Sequence, residues 1–258
     1  MIVALIDSGF GLLPTSARLR RLRPDLDLML SMDPDGAPWG PKDPGWVTER
    51  VVTTARRAVD RGAEVVVLPC NTASVTALEH VRAELGDGIP VVGTVPAIKP
   101  AAAACASVAI WATAATTASA YQADLVERFA DGSDVVGVAC HGLADAIDRG
   151  DRAAAATAIA AAVEQTPDGV QGVVLGCTHY PLVADSIAEQ LPRDVRLFDS
   201  ADAVARQTLR RIDALGRAST GTGRVDVFLS GAAGELPERV RAFEDGRVLL
   251  GSVPDVAL

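Results

Sequence analysis

The sequence predicts an α/β fold made of two similar parallel-sheet halves, and three observations carry that prediction. Short apolar runs recur along the chain at the length of buried strands. Segments with apolar residues at three- and four-residue spacing separate most of them. One strand-turn-cysteine phrase occurs twice. At 258 residues and 49% apolar, the chain is long enough to bury a substantial core.

Taken in order, the predicted strands are Val3–Ile6, Leu26–Leu30, Val65–Leu68, Val91–Gly93, Val108–Trp111, Val135–Ala139, Val173–Leu175, Val195–Phe198 and Val227–Leu229. Each is a short run rich in apolar residues, suited to a buried parallel strand. Helices are predicted for segments such as Trp46–Arg61, Thr72–Leu85, Gln122–Phe129, Asp151–Gln165 and Leu182–Leu191. A β-α repeat of this kind joins parallel neighbours by helical crossovers. The stretch Asp33–Gly45, DPDGAPWGPKDPG, is too rich in Pro, Gly and Asp for helix or central strand and reads as a loop. Trp39 in its middle is either a packed anchor or a functional side chain.

The repeated phrase is EVVVLPCNTAS at 64–74 and QGVVLGCTHYP at 171–181. Each copy places a cysteine just past the C-terminal end of a parallel strand, where open α/β sheets hold ligands, and before a helix N-terminus. A cleft between two such halves brings Cys70 and Cys177 face to face. The partial positive charge of a helix N-terminus favours a thiolate, and racemisation needs one group to take the Cα proton and a like group to return one on the opposite face. Around Cys70, the donors Asn71, Thr72 and Ser74 suit an anionic ligand; around Cys177 stand Thr178, His179 and Tyr180.

The other cysteines read differently. Cys105, inside PAAAACASVAI, is a small buried hydrophobe, and Cys140 is at most a wall residue. No CxxC pair exists, and Cys140-His141 and Cys177-x-His179 lack zinc-ligand spacing, so no metal is expected. A cysteine hydrolase leaves the duplicated Cys70 unexplained. The net charge of −9 favours solubility and disfavours nucleic-acid and anionic-membrane partners. No basic leader, membrane span or disulfide framework is read, and a cytoplasmic protein is expected.

These residues together resemble glutamate racemase of the aspartate/glutamate racemase superfamily: IDSGFG at 6–11, PWGPKD at 38–43, LPCNTAS at 68–74, Thr113 with Thr116, and GCTHYP at 176–181. The resemblance implies two α/β domains related by a pseudo-twofold axis, the active site in the cleft between them, and no cofactor. It implies domain limits of 1–94 plus 204–258 for the first and 95–203 for the second. It makes Cys70 the group that acts on the D isomer and Cys177 the group that acts on the L isomer, assisted by Asp7 and His179. Ser8, Trp39, Gly40, Asn71, Thr72, Thr113 and Thr178 fall at substrate-binding positions. The expected partner is a small acidic amino acid, and the family's habit is a homodimer.

The sequence departs from the family at Trp39, where Tyr is usual, which puts side-chain specificity in question. The family's acidic position after the Cys140 strand falls near Asp148, which reads slightly better as a solvated residue at a helix C-terminus. His80 and His141 have no motif support. A superfamily member acting on aspartate or a hydantoin-like compound, and a non-catalytic amino-acid-binding protein, remain alternatives at this level.

Overall fold

A computed structural model describes residues 1–130, 132–218 and 220–251. The chain divides into two compact units, Met1–Thr94 with Ala201–Leu258, and Val95–Ser200. Residues 252–258, at the end of the first expected domain, lie outside the described residues.

The first unit opens with β1 (Ile2–Asp7), α1 (Leu13–Leu22), β2 (Asp27–Met32), α2 (Pro44–Asp60), β3 (Val65–Leu68), α3 (Asn71–Leu85) and β4 (Val91–Gly93). The second holds α4 (Ile98–Ala104), β5 (Ser107–Ala112), α5 (Ala114–Thr117), α6 (Ala120–Phe129), β6 (Asp134–Ala139), α7 (Leu143–Arg149), α8 (Arg152–Gln165), β7 (Gly172–Leu175), α9 (Ala184–Gln190) and β8 (Arg196–Phe198). The chain then returns to the first unit with α10 (Ala201–Ala214), β9 (Val225–Leu229), β10 (Ala232–Gly234) and α11 (Glu244–Leu249).

All nine predicted strands are present. The tenth, β10, is a three-residue exposed edge strand running antiparallel to β9, and its Ala-Ala-Gly sequence carries no strand signal. The first sheet has the order β10-β9-β2-β1-β3-β4 and the second β6-β5-β7-β8. Within each, a central strand (β1 or β5) pairs with its successor on one side and with the next strand in sequence on the other, all in parallel. The order β2-β1-β3-β4 in the first unit therefore matches β6-β5-β7-β8 in the second, with β3 corresponding to β7. The reversal of direction beside β1 and beside β5 is the kind of switch point where α/β sheets bind ligands at their carboxyl ends.

Burial on both faces explains the apolar runs. In the first unit Ala4, Ile6, Val66 and Leu68 pack with Val47, Val51 and Ala55 of α2 and Ala73 and Ala77 of α3. In the second, Val108, Ile110 and Val174 pack with Ile98 and Ala101 of α4 and Leu125 of α6. On the other face the Trp111 indole N–H donates to the Thr166 hydroxyl at 2.9 Å, giving a fully buried ring its one polar partner.

The segment predicted as one helix over 182–191 is a 3-10 turn, Tyr180–Val183, followed by the seven-residue α9. Pro181 at the start of that turn and the Val183 backbone between the two pieces break the expected regular helix.

Candidate active site

In the first unit, the ends of β1 and β3 flank the switch point. Asp7 is the last residue of β1 and fully buried; its Oδ1 accepts from the Ser8 hydroxyl at 3.2 Å and from the Gly9 N–H at 3.3 Å. This local turn holds the carboxylate at the sheet's carboxyl edge. Cys70 follows β3 by two residues, is buried at 6% exposure, and is the N-cap of the fifteen-residue α3. Its extended backbone (φ −141°, ψ 121°) turns the chain into the helix, and its carbonyl accepts the first helical bond from Ser74. Asn71 and Thr72 form the first turn, where the helix dipole attracts negative charge. Ser74, by contrast, serves the scaffold: its hydroxyl donates to the Leu68 carbonyl and accepts from the Thr94 N–H, both at 2.9 Å.

In the second unit, the corresponding strand ends carry Thr113 and Cys177. Gly176 precedes the cysteine in close contact with β5: a Cβ there would stand 2.8 Å from the Trp111 carbonyl oxygen, so only glycine lets the two strand ends approach this closely. Cys177 is half-buried, and its sulfur lies 3.6 Å from His179 Nδ1. The other ring nitrogen, Nε2, lies 3.1 Å from Asp148 Oδ1. Burial alone disfavours the His179 imidazolium, but the Asp148 charge, its hydrogen bond and the Cys177 contact outweigh it and raise the pKa well above the ordinary histidine value.

Asp148 is thus a partner of His179 and not the solvated residue its sequence context suggests. It does stand in the last turn of α7, but the fold carries that turn to a contact 31 residues away in sequence. No local pattern announces such a pairing. The expected likeness between the two cysteine phrases also needs revision. Cys70 caps a long helix, whereas Cys177 precedes a four-residue 3-10 turn and is served by an imidazole.

Thr113 is the N-cap of α5; its hydroxyl accepts from the Thr116 N–H at 3.3 Å and lies 3.0 Å from the Thr116 hydroxyl. Thr178 is half-buried beside Cys177. Cys140 ends the β6 side of the same edge at 3% exposure, where burial pushes its thiol up to about 12. The Tyr180 hydroxyl donates to the Cys140 carbonyl at 3.5 Å. Cys105 is a core residue, and His80 and His141 are exposed.

The Asp33–Gly45 stretch is a loop up to Asp43, whose carboxylate caps α2 by accepting from the Trp46 N–H, and its Ala37–Pro38 bond is cis. Within it, Trp39 is packed as a loop anchor at the rim of a cavity that Asp7 also borders. The ring is 1% exposed in the cluster with Ile6, Met29 and Val47, while Gly40 is exposed. A bulky apolar ring gains more from that core than from solvent, so the loop turns it inward. A cavity of about 450 Å³ in this unit is bordered by Asp7, Asp33, Trp39, Trp46 and Arg50. No described helix is long and apolar enough to cross a membrane.

Comparison with known proteins agrees with this arrangement. The glutamate racemase of Pseudomonas entomophila is 37% identical over 235 residues, covering 89% of this chain and 88% of that protein. That of Methylococcus capsulatus is 35% identical over 246 residues, covering 92% and 89%. Among solved structures, Escherichia coli glutamate racemase in complex with L-glutamate and the activator UDP-MurNAc-Ala superposes with a TM-score of 0.80 at 30% identity, over 93% of this chain and 91% of that one. The Thermus thermophilus enzyme with β-chloro-D-alanine gives 0.74 at 28% identity, over 98% and 94%. Residues 15–208 match the family described as Asp/Glu/hydantoin racemase, and with that match and these relatives the chain belongs to the Asp/Glu/hydantoin racemase family.

Proposed function

We propose that the protein is a cofactor-independent glutamate racemase that interconverts L- and D-glutamate by two-base proton transfer between Cys70 and Cys177. The observation that carries this reading is the placement of one cysteine after β3 and one after β7, corresponding strands of the four-strand order that both sheets contain. Relatives named as glutamate racemases at 35–39% identity across most of the chain support glutamate as the substrate.

In this mechanism Cys177, with His179 and Asp148 behind it, removes the α-proton of L-glutamate, and Cys70, with Asp7 beside it, delivers a proton to the other face; the D isomer reacts in reverse. Ser8, Asn71, Thr72, Thr113 and Thr178, with the exposed backbone at Gly40, hold the substrate's charged groups. Donors aimed at the α-carboxylate offset the charge that builds up as the carbanion forms, the largest contribution an enzyme makes to so weak a carbon acid. D-Glutamate made in the cytoplasm would supply peptidoglycan synthesis.

Purified protein without added cofactor, incubated in D2O with each enantiomer of glutamate and of aspartate, should exchange the α-proton of glutamate with inversion. Cys70→Ser and Cys177→Ser should each lower that rate by about 10²- to 10⁴-fold, the contribution typical of a positioned acid–base group. Exchange of aspartate alone moves the substrate to the shorter acid; full activity in both variants rules out the two-thiol mechanism.

A further inference from the structure

We infer that Asp33 is the positioning residue of the loop that meets the substrate's side chain, acting by tying the inward-turned Trp39 ring so that the backbone around Gly40 is fixed. This inference rests on the racemase reading and adds how the side-chain end of its site is held.

Asp33 directly follows β2 and is 6% exposed. Its carboxylate accepts the Trp39 indole N–H at 2.9 Å, two bonds from the Arg50 guanidinium (Nε at 2.6 Å and Nη2), and the Ser230 hydroxyl at 2.8 Å. The donors come from the loop, from α2 and from the turn between β9 and β10. A carboxylate has about four acceptor positions, so these four bonds leave none for a ligand. Asp33 therefore acts through what it holds, not by touching substrate.

The surroundings are built for that clamp. Ser230 adopts φ 47°, a left-handed conformation uncommon for a residue with a side chain, while its N–H donates to the Met32 carbonyl at 2.8 Å. In that posture its hydroxyl reaches Asp33 and also accepts the Asp35 N–H at 3.1 Å. At Gly36 a Cβ would fall 2.1 Å from Asp33 Oδ2, so the loop backbone closes directly over the carboxylate. Burial raises the Asp33 pKa, but the bonds from Arg50, Trp39 and Ser230 outweigh it and leave the carboxyl below its ordinary range, so the clamp stays charged at neutral pH.

Core packing turns the ring inward, and the indole bond adds a directional tie that fixes its orientation against Asp33. Trp39 and Gly40 are consecutive, so a ring anchored in the core sets the direction of the exposed peptide that follows.

Asp33→Asn removes the charge and an acceptor, and Ser230→Ala removes one donor without disturbing the core. Steady-state racemisation by the full-length protein is measured for whichever of glutamate and aspartate the parent turns over. The expected result is a KM raised by about tenfold in Asp33→Asn and by less in Ser230→Ala, with kcat held within about twofold, the signature of lost substrate binding that is common to ground and transition states. A purely structural lesion lowers the active fraction, and with it kcat, without moving KM. In parallel, the Trp39 indole N–H resonance should shift in both variants. An unchanged KM overturns the inference, whatever happens to kcat; if Asp33→Asn does not fold, Ser230→Ala decides by the same criterion. A parent protein that racemises neither acid overturns the racemase reading and this one together, whereas an active parent with variants of unchanged KM overturns this one alone.

Discussion

Removing the Asp148 carboxylate tests whether Asp148, His179 and Cys177 operate as one chain. The carboxylate oxygen stands 3.1 Å from His179 Nε2, and the His179 side chain is only 8% exposed, so water has little access to replace a lost partner. In Asp148→Ala the imidazole N–H is left buried and unpaired, at a cost of about 1–3 kcal/mol. If the whole of it is felt in the transition state, at about 1.36 kcal/mol per factor of ten, kcat/KM falls by about 5- to 150-fold. Asp148→Asn keeps an acceptor oxygen but loses the charge, and should fall between parent and alanine variant.

The assay is racemisation from each enantiomer with α-protiated and α-deuterated substrate. Because racemisation has an equilibrium constant of one, kcat/KM must drop equally in both directions, and that drop cannot say which thiol was injured. Isotope effects can. A lesion behind Cys177 makes proton transfer at Cys177 more rate-limiting, so the effect of deuterium at the α-carbon should grow with L-glutamate and shrink with D-glutamate. Retention of parental kcat/KM within about twofold, or growth of the isotope effect on the D side, refutes the reasoning.

The remaining predictions concern stability and titration. His179 has a folded pKa raised above its unfolded value of 6.5, so its pairing stabilises the fold fully below that pH and the contribution fades as pH rises through the higher folded value; urea titrations should show the gap between parent and Asp148→Ala widest just below pH 6.5 and narrowing above it, and a gap independent of pH contradicts the pairing. Gly176→Ala puts a methyl 2.8 Å from the Trp111 carbonyl and 3.1 Å from Ile110 Cγ2, and should cost about 1–3 kcal/mol by chemical denaturation while displacing Cys177; a neutral substitution means the strand ends are not packed as described. Tyr180 is buried and Tyr121 half-buried, and burial raises both, Tyr121 to about 12 with no hydrogen-bond partner for its hydroxyl among the described residues, so ultraviolet titration of the folded protein should show no phenolate near the ordinary value of about 10. Native alkylation followed by peptide mapping should leave Cys140 unmodified when Cys177 is fully labelled, since the first is 3% exposed with a raised pKa and the second is half-buried.

What the sequence revealed of this architecture follows from which interactions are local. Parallel strands covered on both faces are rich in apolar residues, and all nine apolar runs became strands. The exposed Ala232–Gly234 strand pairs only at a sheet edge and buries nothing, so no hydrophobic pattern marks it. Cys70 and Cys177 stand out in the sequence because each follows a strand end in the repeated phrase, whereas the roles expected of Asp7 and His179 came from the family resemblance. Asp148 was misread because its partner is 31 residues away, and the Asp33 clamp was invisible because Ser230 is 197 residues away. Trp39 was ambiguous for a related reason: a loop tryptophan can point either way, and the acceptor that ties it inward is six residues back in a segment rich in acids.

The unequal surroundings of the two cysteines bear on how a two-base racemase must work. One thiol caps a long helix near a buried aspartate turn; the other leans on an imidazole held by a carboxylate. If both sulfurs had to be in the same protonation state, such asymmetry would be a defect. They do not. In the proposed mechanism each turnover begins with one sulfur bare and the other protonated, and ends with those states exchanged. The requirement is that the two protonation patterns be close in free energy, which two different environments can satisfy as well as two identical ones. An aspartate and a helix terminus on one side, and a histidine–aspartate pair on the other, are separate means to that balance. A substitution that weakens one side therefore both shifts that balance and slows proton transfer at the thiol it serves, and a matching substitution on the other side can restore the balance but not the rate.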